Sequence, residues 1–132
     1  MGPVNWIAVV VAVLVAGGLA LVWFGPLFGR GGARRSLAPK PLAVKAMLFT
    51  DLLLVITAAM LGHMFARVGA DTLAAKPWLY FMMSGGLALA FVIPALLTSF
   101  GLTRVPVRVT IIHAGYWLAA YLAMGLVFYL LG

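Results

Sequence analysis

Residues 6–24 read WIAVVVAVLVAGGLALVWF, a run without a single charge. A helix that crosses a bilayer needs roughly 20 mostly apolar residues, because each advances it about 1.5 Å through a hydrocarbon layer about 30 Å thick. Trp6 and Trp23 stand near the two ends of the run, where aromatic side chains meet the membrane interfaces. Residues 1–5 hold no Lys or Arg, and no small-residue cleavage site follows a short apolar core. The run therefore reads as a retained span and not as a signal peptide. Gly25-Pro26 marks its end, since proline cannot continue a helix.

Three further runs of the same kind follow. The second goes from about Ala43 to Phe65, entered after Pro41 and left through Arg67 and Gly69. A short link with Asp71 and Lys76 delivers Pro77 to the third, Trp78 to Phe100, and Pro106 precedes the fourth, about Val107 to Leu131. Pro94 alone among the prolines falls inside a span, where it predicts a kink and a freed Ala90 carbonyl. The fold expected is an all-α integral membrane four-helix bundle. It forms one transmembrane domain over residues 1–132, with spans at about 6–24, 43–65, 78–100 and 107–131.

Composition agrees. Of 132 residues 66% are hydrophobic and 8% charged, more apolar surface than one soluble core of this size can hide. Cysteine is absent, which excludes disulfides, iron–sulfur ligation, covalent haem attachment and thiol nucleophiles. The net charge of +7 comes from residues between the apolar runs, so it reads as a topology signal and not as a nucleic-acid footprint. Arg30, Arg34, Arg35, Lys40 and Lys45 fall in the first loop and Arg104 and Arg108 in the third, against Arg67 and Lys76 on the opposite side. The positive-inside rule makes the first and third loops cytoplasmic and sends both termini outward.

Few side chains inside the spans can carry chemistry. Asp51 lies six positions after Lys45, about 9 Å deep at helical rise. A carboxylate there costs roughly 2.5–3.5 kcal/mol on insertion scales and is a functional candidate; a structural contact or a reach to the headgroups is the plainer reading. His113, five positions after Arg108, falls at nearly the same depth, so the two can share a hydrogen bond or ion pair, either as structural glue or as part of a proton relay. His63 lies near the outer end of the second span and reads as an interfacial anchor. The histidines fall at opposite faces, which disfavours a bis-histidine haem, and no metal or other cofactor is expected. Met60, Met64, Met82, Met83 and Met124 read as core filling. Gly17, Gly18, Gly85 and Gly86 suit close helix packing, and Tyr116, Trp117 and Tyr121 need partners for their polar tips, which directs some of them inward.

The two ends of the chain carry more specific patterns. Asn5-Trp6, then Trp23-Phe24-Gly25-Pro26-Leu27-Phe28-Gly29-Arg30, then His113-Ala114-Gly115-Tyr116-Trp117-Leu118 with Met124-Gly125, resemble the bacterial family known as Domain of Unknown Function 1761. There the matching stretches read NW, WYGPLFGK and NAGYWL followed by MG; this chain has His113 where the family has Asn. The resemblance covers the whole chain. It implies a small bacterial inner-membrane protein with four helices and no assigned activity; the outward termini read from the loop charges are then periplasmic.

The functional expectation is a non-enzymatic accessory or oligomer-forming subunit that works through its helix faces, in contact with the lipid bilayer and with copies of itself or a larger membrane complex. A small transporter or channel using Asp51 and His113 is the first alternative. A lipid- or small-molecule-binding protein with a pocket near Tyr116 and Trp117 is the second.

Overall fold

The structure, a computed structural model, describes residues 3–28 and 40–132. The arginine-rich stretch with Arg30, Arg34 and Arg35 lies outside the described residues. Helix α1 spans Trp6–Val22, α2 Lys40–Val68, α3 Ala70–Ala75, α4 Trp78–Leu87, α5 Ile93–Leu102 and α6 Val107–Leu131. No strand occurs among the described residues. Four helical stretches, Trp6–Gly25, Val44–Val68, Trp78–Leu102 and Val107–Leu131, are long and apolar enough to cross a membrane. Only 17–33% of each lies buried inside the bundle, so most of their apolar surface looks outward and suits hydrocarbon better than water.

Local chemistry sets the helix boundaries. Asn5 caps α1, its side-chain oxygen accepting from the Ala8 N–H at 3.1 Å, while its amide nitrogen donates to the Leu131 carbonyl at 2.8 Å. One residue thus closes the start of the first helix onto the end of the last. Helix α2 stops at Gly69, whose φ of 92° lies in the region that glycine occupies without a Cβ penalty. Beyond it the expected link is a short helix, α3, with Asp71 in its first turn, where the helix dipole favours negative charge. At its other end α2 begins at Lys40, so Pro41 sits inside the first turn, where its missing N–H breaks no bond, and Lys45 is helical and not in a loop.

Both prolines expected to interrupt spans are absorbed by π turns. The chain widens over Trp23–Leu27 and carries Pro26 within the turn, so the first helical run continues past Gly25 instead of ending there. A second π turn, Ala88–Val92, precedes Pro94, and α5 resumes with that proline in its first turn. A proline ring crowds the carbonyl four residues back, and widening the ladder by one residue relieves that crowding. The Ala90 carbonyl therefore lies in a π turn and not beside a gap in an unbroken α-helix.

Helix α1 packs against α2 and α6, and α6 against α1 and α4, whereas α2 meets α6 only sparsely. Ala8, Ala12 and Ala16 form a fully buried stripe on α1 at four-residue spacing, the small-residue pattern that lets helix backbones approach. Facing it are Leu54, Ala58, Leu61 and Phe65 of α2 and Tyr116, Ala120 and Met124 of α6, all buried. Phe65 closes one end of the bundle, its ring 4.8 Å from Tyr80 and 5.2 Å from Phe128. Met124 belongs to the core, but Met60 and Met82 face outward at 58% and 51% exposure. Where the surrounding solvent is itself apolar, an outward methionine carries no penalty.

Candidate functional site

Polar and aromatic groups gather where the second half of α1 meets α2 and α6. The Tyr116 hydroxyl donates to the Ala16 carbonyl at 3.1 Å, a buried bond between residues 100 positions apart. One residue on, Gly17 faces Asp51 of α2: a Cβ at position 17 would lie 3.1 Å from the Asp51 Oδ1. The glycine therefore gives the carboxylate its place against α1. Asp51 is also close enough to Tyr116 for its charge to act on the phenol. Farther along, Thr57 of α2 lies near Tyr121 of α6, its own hydroxyl donating to the Leu53 carbonyl at 3.4 Å. Trp117 stacks edge-on between Tyr116 and Tyr121, with ring centroids 5.3 and 6.4 Å away.

His113 does not join Asp51. Its imidazole lies 4.8 Å from the ring of Phe24 and 5.4 Å from that of Phe100, and among the described residues no hydrogen bond or ion pair connects it to the carboxylate. The reason is the facing of the side chains: Asp51 turns to Gly17 and Tyr116, whereas His113, one turn before Tyr116 on α6, turns to Phe24 and Phe100, so equal depth does not bring the two together. His63 is exposed on α2, its Nε2 accepting from the Arg67 Nε at 3.4 Å one turn away. Among the described residues no group of three or more His, Asp or Glu side chains is placed to hold a metal ion.

Of the four glycines selected for packing, Gly17 meets Asp51 and Gly85 meets Leu122, a Cβ at position 85 falling 2.9 Å from its Cδ2. Gly18 and Gly86 have nothing within 4 Å of where a Cβ would sit. Closer approaches occur elsewhere. A Cβ at Gly125 would run into the Ser84 hydroxyl and reach 3.0 Å from the Tyr80 carbonyl oxygen. At Gly115 it would fall 3.1 Å from the Trp23 indole, and at Gly62 3.1 Å from Val4 and 3.2 Å from Phe128. Hydropathy patterning singles out none of these contacts, because each pairs residues far apart in the chain.

The segments behind the family resemblance meet in space. Asn5 ties α1 to the end of α6, Trp23 donates from its indole nitrogen to the Ile112 carbonyl at 3.0 Å, Gly115 makes room for that indole, and Tyr116 bonds back to Ala16. These contacts form the seam between the first and last helices. Two hollows flank it: a cavity of about 100 Å³ among Asn5, Gly62, Phe65, Tyr80 and Phe128, and an open groove of about 430 Å³ formed by Phe28, Val107, Arg108, Ile111 and Ile112. No curated protein and no solved structure matches the chain. A family model described as "Protein of unknown function (DUF1761)" matches residues 7–129, and the chain belongs to that family.

Proposed function

We propose that the chain is a multi-pass protein of the bacterial inner membrane, with both termini on the periplasmic side, that acts as an accessory or oligomer-forming subunit and carries out no reaction itself. The observation behind this reading is the state of α2 around Asp51. Val44, Met47, Leu48, Phe49, Leu52 and Leu53 are all at least 45% exposed, so this half of the helix lies against the bundle only lightly. The Asp51 carboxylate itself faces α1 at Gly17, so the outward face that those side chains form is wholly apolar. A second copy or another membrane protein laid along α2 covers that face. The test is a native-mass measurement in mild detergent together with a pull-down from the native membrane. A strict monomer that recovers no partner removes the proposal.

A cation or proton pathway is the second reading, favoured by the placement of Asp51 beside the Tyr116–Ala16 bond. Since His113 sits in an aromatic setting apart from the carboxylate, such a path runs through Asp51 without that histidine. If Asp51→Asn leaves every flux in reconstituted vesicles unchanged, this reading fails.

A further inference from the structure

The groove at the start of α6 has a built wall and an unneutralised charge. Its wall is Phe28, which two contacts hold against α6: the Phe28 N–H donates to the Trp23 carbonyl at 3.0 Å, and its ring lies 5.1 Å from the Trp23 indole. Trp23 is in turn fastened to Ile112. The other wall is the first two turns of α6, where Val107 and Ile111 are 74% and 64% exposed and Ile112 closes the floor. Arg108, itself exposed, also lines the groove. The chain has nine Lys and Arg but only two acids, Asp51 and Asp71. Among the described residues neither acid is ion-paired with Arg108. The groove thus offers an apolar trough of ligand-binding size, within the roughly 300–1,000 Å³ of typical sites, lined also by a cation for which this part of the chain has no counter-ion.

We infer that this groove binds one anionic phospholipid, its phosphate held at Arg108 and an acyl chain lying between Phe28 and Ile111. Charge complementarity selects the lipid: a zwitterionic headgroup brings its own cation to the guanidinium, whereas an anionic one supplies the negative charge the chain lacks. Arginine suits the task because its planar fork meets phosphate oxygens in pairs, and basic sites at helix ends on the cytoplasmic side are where anionic headgroups bind. The inference rests on the membrane reading above and adds to it a particular lipid class and a particular place.

The full chain is reconstituted in nanodiscs holding equal amounts of phosphatidylglycerol and phosphatidylcholine, released into mild detergent, and weighed by native mass spectrometry. The expected result is one retained phosphatidylglycerol per chain. Arg108→Gln should lower that retention about fivefold, the equivalent of about 1 kcal/mol for one cation at the surface. Arg108→Lys should keep more than half of it, and Lys76→Gln, on the other side of the bundle, should keep it all. Millimolar inorganic phosphate should not displace the lipid. Equal retention of the two lipids by the unaltered chain overturns the inference, even if Arg108→Gln fails to insert; so does unchanged retention in Arg108→Gln, or displacement by phosphate alone, which marks a simple anion site. A chain that does not enter the nanodisc at all overturns the membrane reading instead.

Discussion

The Trp23 indole nitrogen donates to the Ile112 carbonyl oxygen across 3.0 Å, joining residues 89 positions apart at the seam of α1 and α6. The same indole packs over Gly115 and under Phe28. Trp23→Phe keeps an aromatic ring in place but removes the donor, so the chain should lose about 0.5–1.5 kcal/mol, the ordinary net worth of one hydrogen bond. An SDS-unfolding titration in mixed micelles measures it. Trp6→Phe is the control: Trp6 is 63% exposed, and its replacement should leave the midpoint where it was.

Glycines at first sight equivalent should part company under substitution. Gly125 lies directly on the Ser84 hydroxyl, which donates to the Tyr80 carbonyl at 2.8 Å in the buried contact of α4 and α6. Gly125→Ala pushes against backbone as well as side chain and should destabilise the bundle by about 1–3 kcal/mol, the usual effect of overpacking. Gly86→Ala meets nothing within 4 Å and should be neutral or stabilising by up to about 1 kcal/mol through helix propensity. If the two variants unfold at the same detergent concentration, the α4–α6 contact described above is wrong.

What the sequence disclosed depended on how local each cause was. Four helices were legible because each announces itself within about 20 residues, by hydropathy and by the prolines and glycines around it. The family was legible because its patterns are contiguous. Lateral facing is not: which side of a helix meets which neighbour leaves no trace in the periodicity of helices that are apolar on every side. For that reason depth alone pairs Asp51 with His113, although the carboxylate faces Gly17 and Tyr116 and the imidazole faces Phe24 and Phe100. It is also why Gly18 and Gly86 resembled Gly17 and Gly85, when only the latter two face a neighbour. The π turns are not legible for a different reason, since proline chemistry predicts that a helix must yield near Pro26 and Pro94 but does not choose between ending, bending and widening.

Arg104 is the only non-glycine with positive φ among the described residues, at 57°. It follows the end of α5 in a Schellman arrangement, with the Val105 N–H donating to the Phe100 carbonyl at 2.9 Å and the Arg104 N–H to that of Gly101 at 3.2 Å. Glycine is the usual residue there, because the left-handed conformation costs an L side chain roughly 1–2 kcal/mol. Arg104→Gly should therefore raise stability by about 1 kcal/mol in the same titration. It should also weaken the bias of positive charge that sets orientation, so stability and topology should move in opposite directions. A loss of stability would mean that the Arg104 side chain makes a contact worth more than the strain it imposes.

The orientation itself can be read directly, because the chain contains no cysteine and any introduced thiol reports alone. Thr72 in α3 and Thr103 after α5 are both exposed and lie at opposite ends of the third span. With seven of the nine basic residues in the first and third loops or just inside the helices that follow them, the positive-inside rule places Thr103 in the cytoplasm and Thr72 outside it. In intact cells whose outer membrane has been made permeable, a membrane-impermeant maleimide should label Thr72→Cys fully. Thr103→Cys should be labelled only after the inner membrane is opened. The reverse pattern would put Arg108 and its groove in the outer leaflet, and equal labelling of both would mean that the chain inserts in both directions, as happens when the charge bias is too small to choose.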